Sequence, residues 1–148
     1  MHHHAGTTSG CGYVCAKEVV RTGGRAICLN RPSPRAEASL ASLRALCANG
    51  GSVVHIDCDV SSLASVAAAV QAVADACDGS LDVLVCNAGV GGFPEQRGED
   101  GFELQMLCNH LSHWLLIRRL MPCLEAAAAS SKACRSRPAT LATPPPPP

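Results

Sequence analysis

A glycine-rich turn near the start of the chain has the clearest chemical use. Residues 6–12 read GTTSGCG, and a helical pattern follows them. Glycines let backbone N–H groups approach a phosphate closely, and the amino end of a helix adds a positive dipole. Gly6, Gly10 and Gly12 are therefore predicted to hold a pyrophosphate, with the Ser9 hydroxyl available to its oxygens. An ordinary helix-start loop is the alternative.

Arg31 follows an apolar run at the spacing at which dinucleotide-binding folds contact the adenosine ribose. A carboxylate at this place would accept a hydrogen bond from the 2′-hydroxyl of NAD(H). An arginine instead donates several hydrogen bonds to the 2′-phosphate of NADP(H). The sequence therefore predicts a dinucleotide cofactor, with NADP(H) preferred over NAD(H), unless Arg31 is only a solvated loop residue.

Two later apolar runs, residues 53–60 (VVHIDCDV) and 81–89 (LDVLVCNAG), each read as a buried strand that ends in polar residues. These strands, and a shorter one from Arg25 to Leu29, alternate with helical patterns. Such alternation implies parallel strands joined by right-handed crossovers, with helices on both faces. The predicted fold class is α/β, a Rossmann-like doubly wound parallel sheet. The helices are expected over Gly10–Arg21, from Ser33 to Asn49, from Ser61 to Asp78, and over Asp100–Met121.

With residues 100–103 (DGFE) and 109–113 (NHLSH), these motifs resemble the short-chain dehydrogenase/reductase family over residues 5–125. The retinol-dehydrogenase-like and protochlorophyllide-reductase-like branch is the most similar. The resemblance implies an oxidoreductase that transfers hydride between a nicotinamide and a carbonyl or alcohol.

The same resemblance implies roles for individual residues. Asp59 would accept from the adenine amino group, with Val60 donating from its backbone, although Asp59 also reads as a helix N-cap. Asn87, Ala88 and Gly89 would line the adenine ribose and brace the sheet. Asn109 is the candidate catalytic residue, because the family's helix asparagine holds a water of the proton relay on its main-chain carbonyl.

The sequence departs from the family pattern at both ends. Residues 1–5 (MHHHA) replace the apolar strand that usually leads into the glycine turn, and neither the catalytic serine strand nor a downstream Tyr-x-x-x-Lys helix is recognisable. Tyr13 and Lys17 match that spacing, but they lie in the first helix, beside the pyrophosphate. We therefore expect a partial NAD(P)-binding Rossmann domain over residues 1–129, with its first strand and C-terminal half missing, a disordered basic and Pro-rich tail over 130–148, and no catalytic competence.

Loss of a central strand has a large expected cost. Four buried Val, Ile or Leu side chains are together worth about 6–12 kcal/mol, and whole domains are stable by about 5–15 kcal/mol. Marginal stability and a homo- or hetero-oligomer are therefore expected. The alternative function is a non-catalytic NADP(H)-binding or subunit-interaction protein.

Composition excludes several other classes of protein. The formal net charge is zero, which argues against nucleic-acid binding, and no apolar run reaches the roughly 18 residues of a membrane span. Ten cysteines without a C-x-x-C pair indicate free thiols in a reducing compartment, the cytoplasm or an organelle stroma. No metal site is expected, because the three consecutive histidines lack further ligands.

Overall fold

The computed structural model describes residues 6–92 and 94–130, in which helices and strands alternate at first. The elements are α1 (Gly10–Arg21), β1 (Arg25–Asn30), α2 (Pro34–Ala45), β2 (Ser52–Asp57), α3 (Leu63–Ala76), α4 (Leu104–Met106), a π-helical turn (Leu107–Leu111) and α5 (Ser112–Ser130). β1 and β2 run parallel, in a register from Arg25 opposite Ser52 to Asn30 opposite Asp57. The predicted parallel, helix-connected architecture is confirmed.

Helices cover both faces of the sheet. Side chains of successive strand residues therefore pack into two apolar clusters, one on each face. Ala26 and Cys28 of β1 face the cluster built mainly from α1 and α2, whereas Ile27 and Leu29 face the one built from α3 and α5. The first cluster is centred on Ala16, Val20, Cys28, Leu40 and Leu43. The second contains Cys58, Val66, Ala69, Val73, Leu116, Leu120 and Cys123.

Local capping chemistry sets the helix starts. The Ser33 hydroxyl accepts from the Ala36 N–H at 3.1 Å, and Pro34 opens α2, as predicted. The cap of α3 is Ser62, not Ser61, because the Ser62 hydroxyl accepts from the N–H of Ser65.

The predicted limits of the last helix, Asp100 and Met121, are both wrong. The Glu103 carboxylate accepts from the N–H groups of Gln105 and Met106, so the helical segment begins at Leu104. Beyond Met121, α5 passes through Pro122 and ends at Ser130. Proline removes one helical donor, but the helix continues, and Cys123 and Ala127 on its next turns are buried. The tail was predicted from residue 130, but Ser130 is the last residue of α5; residues 131–148 lie outside the described residues.

The strand predicted around Val85 is not part of a sheet. Residues 81–88 (the 81–88 segment) are irregular and form no ladder with any other described residue. Val83 and Val85 are 70% and 60% exposed, respectively. The segment faces β1 across an open cavity instead of pairing with it. The described fold is therefore an incomplete doubly wound sheet, as expected, with two paired strands.

The nine cysteines of the described residues are all free thiols; Cys28, Cys58, Cys108 and Cys123 are buried, whereas Cys86 is exposed, unlike a core strand residue. No helix in the described part of the chain is long and apolar enough to cross a membrane.

Candidate functional site

The glycine turn is fastened to the end of β1 by Asn30. The Thr7 N–H donates to Asn30 Oδ1 at 2.8 Å, and Asn30 Nδ2 donates to Thr7 Oγ1 at 3.0 Å. Gly6 has a φ of +64°, and a β-carbon there would overlap the Leu29 carbonyl and the Asn30 side chain. Only glycine fits this approach. Sequence reasoning missed Asn30; its signal was a polar residue closing an apolar strand.

Gly12 and Asn87 complete the other side of the turn. Asn87 Nδ2 donates to the carbonyl of Gly6 at 3.0 Å, across a separation of 81 residues. A β-carbon on Gly12 would overlap that same carbonyl and lie 2.6 Å from Asn87 Nδ2. The structure therefore brings Gly6, Gly12 and Asn87 into direct contact.

The amino end of α1 opens beside this turn. Ser9 is its N-cap residue, and Gly10 is its first residue with a φ of +62°. A β-carbon on Gly10 would meet no atom within 4 Å, so the space in front of the helix is open. Free backbone donors at such an end attract anions.

Arg31 and Asp59 lie at the carboxyl ends of the two paired strands and face each other. Arg31 Nη1 is 3.8 Å from Asp59 Oδ2, and the side chains are 47% and 36% exposed. Exposed pairs of this kind contribute only about 0–1 kcal/mol, so the guanidinium can exchange partners at little cost. Asp59 Oδ1 accepts from the Ser61 N–H and hydroxyl at 2.9 and 2.6 Å, so Asp59 orders the loop before α3 and does not cap the helix.

A small cavity of about 80 Å³ adjoins the ion pair. Its lining consists of Arg31, Asp59, Val60, Ser61, Val90, Leu104 and Cys108. The Val60 carbonyl accepts from the buried Ser112 hydroxyl at 2.7 Å, which fixes the cavity wall to α5. Arg31, Asp59 and Val60, predicted separately, thus share one pocket.

Asn109 contacts the loop that follows Ala88 and Gly89. Its Oδ1 accepts from the Val90 N–H at 2.7 Å, and its Nδ2 donates to the Val90 carbonyl at 2.9 Å. A β-carbon on Gly89 would lie 3.4 Å from Asn109 Oδ1. The side chain of Asn109 therefore positions the loop through both of its polar atoms, a role that the resemblance did not imply.

Asn109 lies in the π-helical turn, and such turns are frequent at functional sites. Burial lowers the pKa of His113, because it disfavours the charged ring; a hydrogen bond with the backbone of Asn109 opposes this effect, and the neighbouring His110 adds to it.

The hydroxyl of Tyr13 is hydrogen-bonded to Ser42 of α2 at 2.9 Å, and not to the glycine turn or to the strand ends. Among residues 6–92 and 94–130, no group of three His, Cys, Asp or Glu side chains could hold a metal ion. The histidines at positions 2–4 lie outside the described residues.

The glycine turn, the paired polar strand ends and the helices on both faces define a nucleotide-binding α/β architecture. Residues 4–133 match the family model described as short chain dehydrogenase, and the chain belongs to this family. It is 40% identical to mouse retinol dehydrogenase 14 over 84% of its length, and 35% identical to human dehydrogenase/reductase SDR family member 13 over 89%. The alignments span 40% and 36% of those relatives' lengths, respectively.

Solved structures agree with this assignment. An alcohol dehydrogenase from Thermococcus sibiricus, complexed with 5-hydroxy-NADP, matches with a TM-score of 0.67 and 26% identity, over 82% of this chain and 51% of that one. A metagenomic short-chain oxidoreductase in complex with NADP also gives a TM-score of 0.67, at 28% identity, over 82% of this chain and 54% of that one.

Proposed function

We propose that this chain is the NADP(H)-binding portion of a short-chain oxidoreductase, and that the 148-residue polypeptide does not itself catalyse hydride transfer. One observation carries the proposal. The glycine turn, the open amino end of α1 and Arg31 all lie at the same edge of the sheet. The two similar structures with NADP-type ligands support it.

The residues present fit a dinucleotide. Gly6 and Gly12 leave no room for side chains where the backbone of the turn is closest packed, and Gly10 keeps the space before α1 clear. The backbone donors there, with Ser9 as N-cap, would receive the pyrophosphate. A 2′-phosphate near Arg31 would draw the guanidinium away from Asp59 into a charge-assisted contact.

The remaining predicted residues have positioning roles in this proposal. Asp59 and Val60 form the wall of the small cavity, where an adenine amino group would find an acceptor and a backbone donor. Asn87 holds the turn through Gly6, and Ala88 and Gly89 connect Asn87 to Val90, which Asn109 holds. A bound nicotinamide would supply hydride chemistry; these residues only bind and orient it.

Among the described residues, we assign none to proton transfer. The single tyrosine of the sequence, Tyr13, is hydrogen-bonded to Ser42, and we therefore do not assign Tyr13 and Lys17 to a relay. Both polar atoms of the Asn109 side chain are hydrogen-bonded to Val90. We therefore assign Asn109 a structural role in the chain as it stands.

Calorimetric titration of the chain with NADPH and NADH tests the cofactor proposal. Charge-assisted hydrogen bonds contribute about 1.5–3 kcal/mol, so NADPH should bind about ten- to a hundredfold more tightly. Arg31→Ala should abolish this preference. The matched control is Arg44→Ala, which removes an exposed arginine from the last turn of α2. Equal affinities, or a preference that survives Arg31→Ala, would refute the assignment.

A separate assay tests the absence of catalysis. NADPH oxidation by the chain in the presence of aldehydes or ketones should not exceed that of buffer. Steady turnover above that of buffer would contradict this expectation.

The open cavity beside β1 favours a second candidate, a subunit-interaction protein. Under this alternative the chain would bind NADP(H) without turnover and act through a partner. Titration with NADPH does not distinguish these two candidate functions. The size and composition of any stable complex that the chain forms do distinguish them.

A further inference from the structure

Two thiols meet where α3 packs against α5. Cys77 is the C-cap residue of α3, and Cys123 directly follows Pro122 in α5. Cys123 belongs to the apolar cluster on this side of the sheet, and Cys77 packs against that cluster. The Cys77 thiol is a side-chain hydrogen-bond partner of Cys123, so the two side chains are in contact. We call these two residues the thiol pair.

This contact distinguishes the thiol pair from other buried thiols of the sheet. The side chain that acts on the thiol of Cys28 is Thr7, and the side chain that acts on Cys58 is Asp59. Neither thiol has a described cysteine as such a neighbour. The thiol pair therefore has a possibility that Cys28 and Cys58 lack, a bond between two sulfurs.

The two members of the thiol pair differ in their access to solvent. Cys77 is half-buried, and the exposed residues 78–80 follow it, whereas Cys123 is buried. Burial raises the pKa of the Cys123 thiol, and the neighbouring Cys77 raises it further. Cys123 therefore stays protonated near neutral pH, and an oxidant from solution reaches Cys77 first.

Backbone hydrogen bonds hold both cysteines to one turn. The Cys77 carbonyl accepts from the N–H of Ser80 at 2.9 Å, and the Cys123 carbonyl accepts from the N–H of Leu81 at 3.0 Å. The turn after α3 thus bonds to both members of the thiol pair. Groups held side by side react at a high effective concentration, so a reactive species formed on one sulfur is open to attack by the other.

We propose that Cys77 and Cys123 form a reversible disulfide when the chain meets a peroxide. The Cys77 sulfur attacks one peroxide oxygen, the O–O bond breaks, and the products are a Cys77 sulfenic acid and water, which carries away the thiol proton. The Cys123 sulfur then attacks the Cys77 sulfur. The S–O bond breaks, and the oxygen leaves as water with the proton of Cys123. The two thiols are oxidised, and the peroxide is reduced to water. The proposal does not depend on cofactor binding.

Peptide mapping tests this on the full chain. The reduced protein is treated with equimolar hydrogen peroxide, and the remaining thiols are blocked with N-ethylmaleimide. Cleavage after arginine and after acidic residues places Cys77 in peptide 76–78 and Cys123 in peptide 120–125, each without a second cysteine. Mass spectrometry should find these two peptides linked in the monomer, and dithiothreitol should separate them. Oxidation in urea should lower the linked fraction at least about tenfold, because unfolding removes the proximity of the thiols.

Two variants separate the roles of the thiols. Cys123→Ala removes the second thiol, so dimedone should trap at least about tenfold more Cys77 sulfenic acid than in the unaltered chain. The matched control is Cys47→Ala. Cys47 is also half-buried, and its thiol donates to the Leu43 carbonyl at 3.5 Å, as the Cys77 thiol donates to that of Ala74. This control should leave the linked fraction unchanged.

Urea denaturation reports what the disulfide does to the fold. A bond between α3 and α5 constrains the unfolded chain, so peroxide should raise the midpoint of unfolding of the unaltered chain and of Cys47→Ala. It should not raise the midpoint of Cys123→Ala.

Several results would overturn the proposal. One is the absence of a link between peptides 76–78 and 120–125 when exposed Cys11 is oxidised. Another is an equal linked fraction with and without urea, which indicates chance encounters. Equal dimedone labelling of Cys77 in Cys123→Ala and in the unaltered chain would mean that Cys123 does not react with the sulfenic acid. A link from Cys77 to a second copy of the chain, in place of Cys123, is equally negative.

Discussion

Asn30→Ala should destabilise the glycine turn and, through it, the whole domain. Asn30 is 1% exposed and forms two short hydrogen bonds with Thr7, at 2.8 and 3.0 Å. Each bond contributes about 0.5–1.5 kcal/mol net, and removal of a buried side chain leaves a cavity that adds to the loss. The free energy of unfolding should fall by about 2–4 kcal/mol.

Urea denaturation and amide exchange measure this loss at two levels. The midpoint of unfolding reports the global effect, and the exchange rate of the Thr7 amide should rise about tenfold for each 1.4 kcal/mol of lost local protection. Thr7→Val serves as the partner variant, because it keeps the backbone bond to Asn30 Oδ1 and loses only the hydroxyl contacts.

The two substitutions should not be additive. In the Asn30→Ala background the Thr7 hydroxyl has already lost its partner, so Thr7→Val should cost little more. Additive losses, or an unchanged exchange rate at Thr7 in Asn30→Ala, would refute the reasoning that Asn30 anchors the turn.

Three further outcomes are expected. Gly12→Ala should weaken NADPH binding at least about tenfold in calorimetry, whereas Gly91→Ala, whose β-carbon would meet only a side-chain oxygen at 3.4 Å, should not; equal effects would contradict the packing argument. Since burial lowers the pKa of His113, the unfolded state binds more protons than the folded one as pH falls below about 6.5. Urea unfolding at pH 7 and pH 5 should therefore show a loss of stability at pH 5 that is smaller in His113→Gln, and an equal loss in both proteins would exclude this residue as the cause. Burial raises the pKa of Cys58 to about 11, so iodoacetamide at pH 8 should modify it at least about a hundredfold more slowly than exposed Cys11, and mass spectrometry showing similar rates would argue against its burial.

Local signals predicted much of the fold. The glycine turn with its helix and the Ser33-Pro34 start of α2 depend on nearby residues, so the sequence reveals them directly. The 81–88 segment could not be read in this way. Its apolar residues have strand character, but a strand needs a partner for its backbone groups, and that condition is not local. The predicted helix end at Met121 is wrong, because α5 continues through Pro122, with Cys123 and Ala127 buried on the turns that follow.

The candidate site was predictable where motif spacing determines it and not where contacts between distant residues do. Gly6, Arg31 and Asp59 follow from position relative to strands, and the structure places them at one edge. The hydrogen bond from Asn87 to Gly6 joins positions 81 residues apart. The hydrogen bonds between Asn109 and Val90 use the side-chain atoms of Asn109. Motif spacing specifies neither contact.

The contact between Asn87 and Gly6 has a consequence for order in the chain. Asn87 lies in the 81–88 segment, which joins no ladder among the described residues, yet its side-chain nitrogen is 3.0 Å from the Gly6 carbonyl. Under the proposed function, a nucleotide that orders the glycine turn should therefore also order the 81–88 segment. By thermodynamic linkage, anything that orders this segment should in turn strengthen nucleotide binding by the same factor.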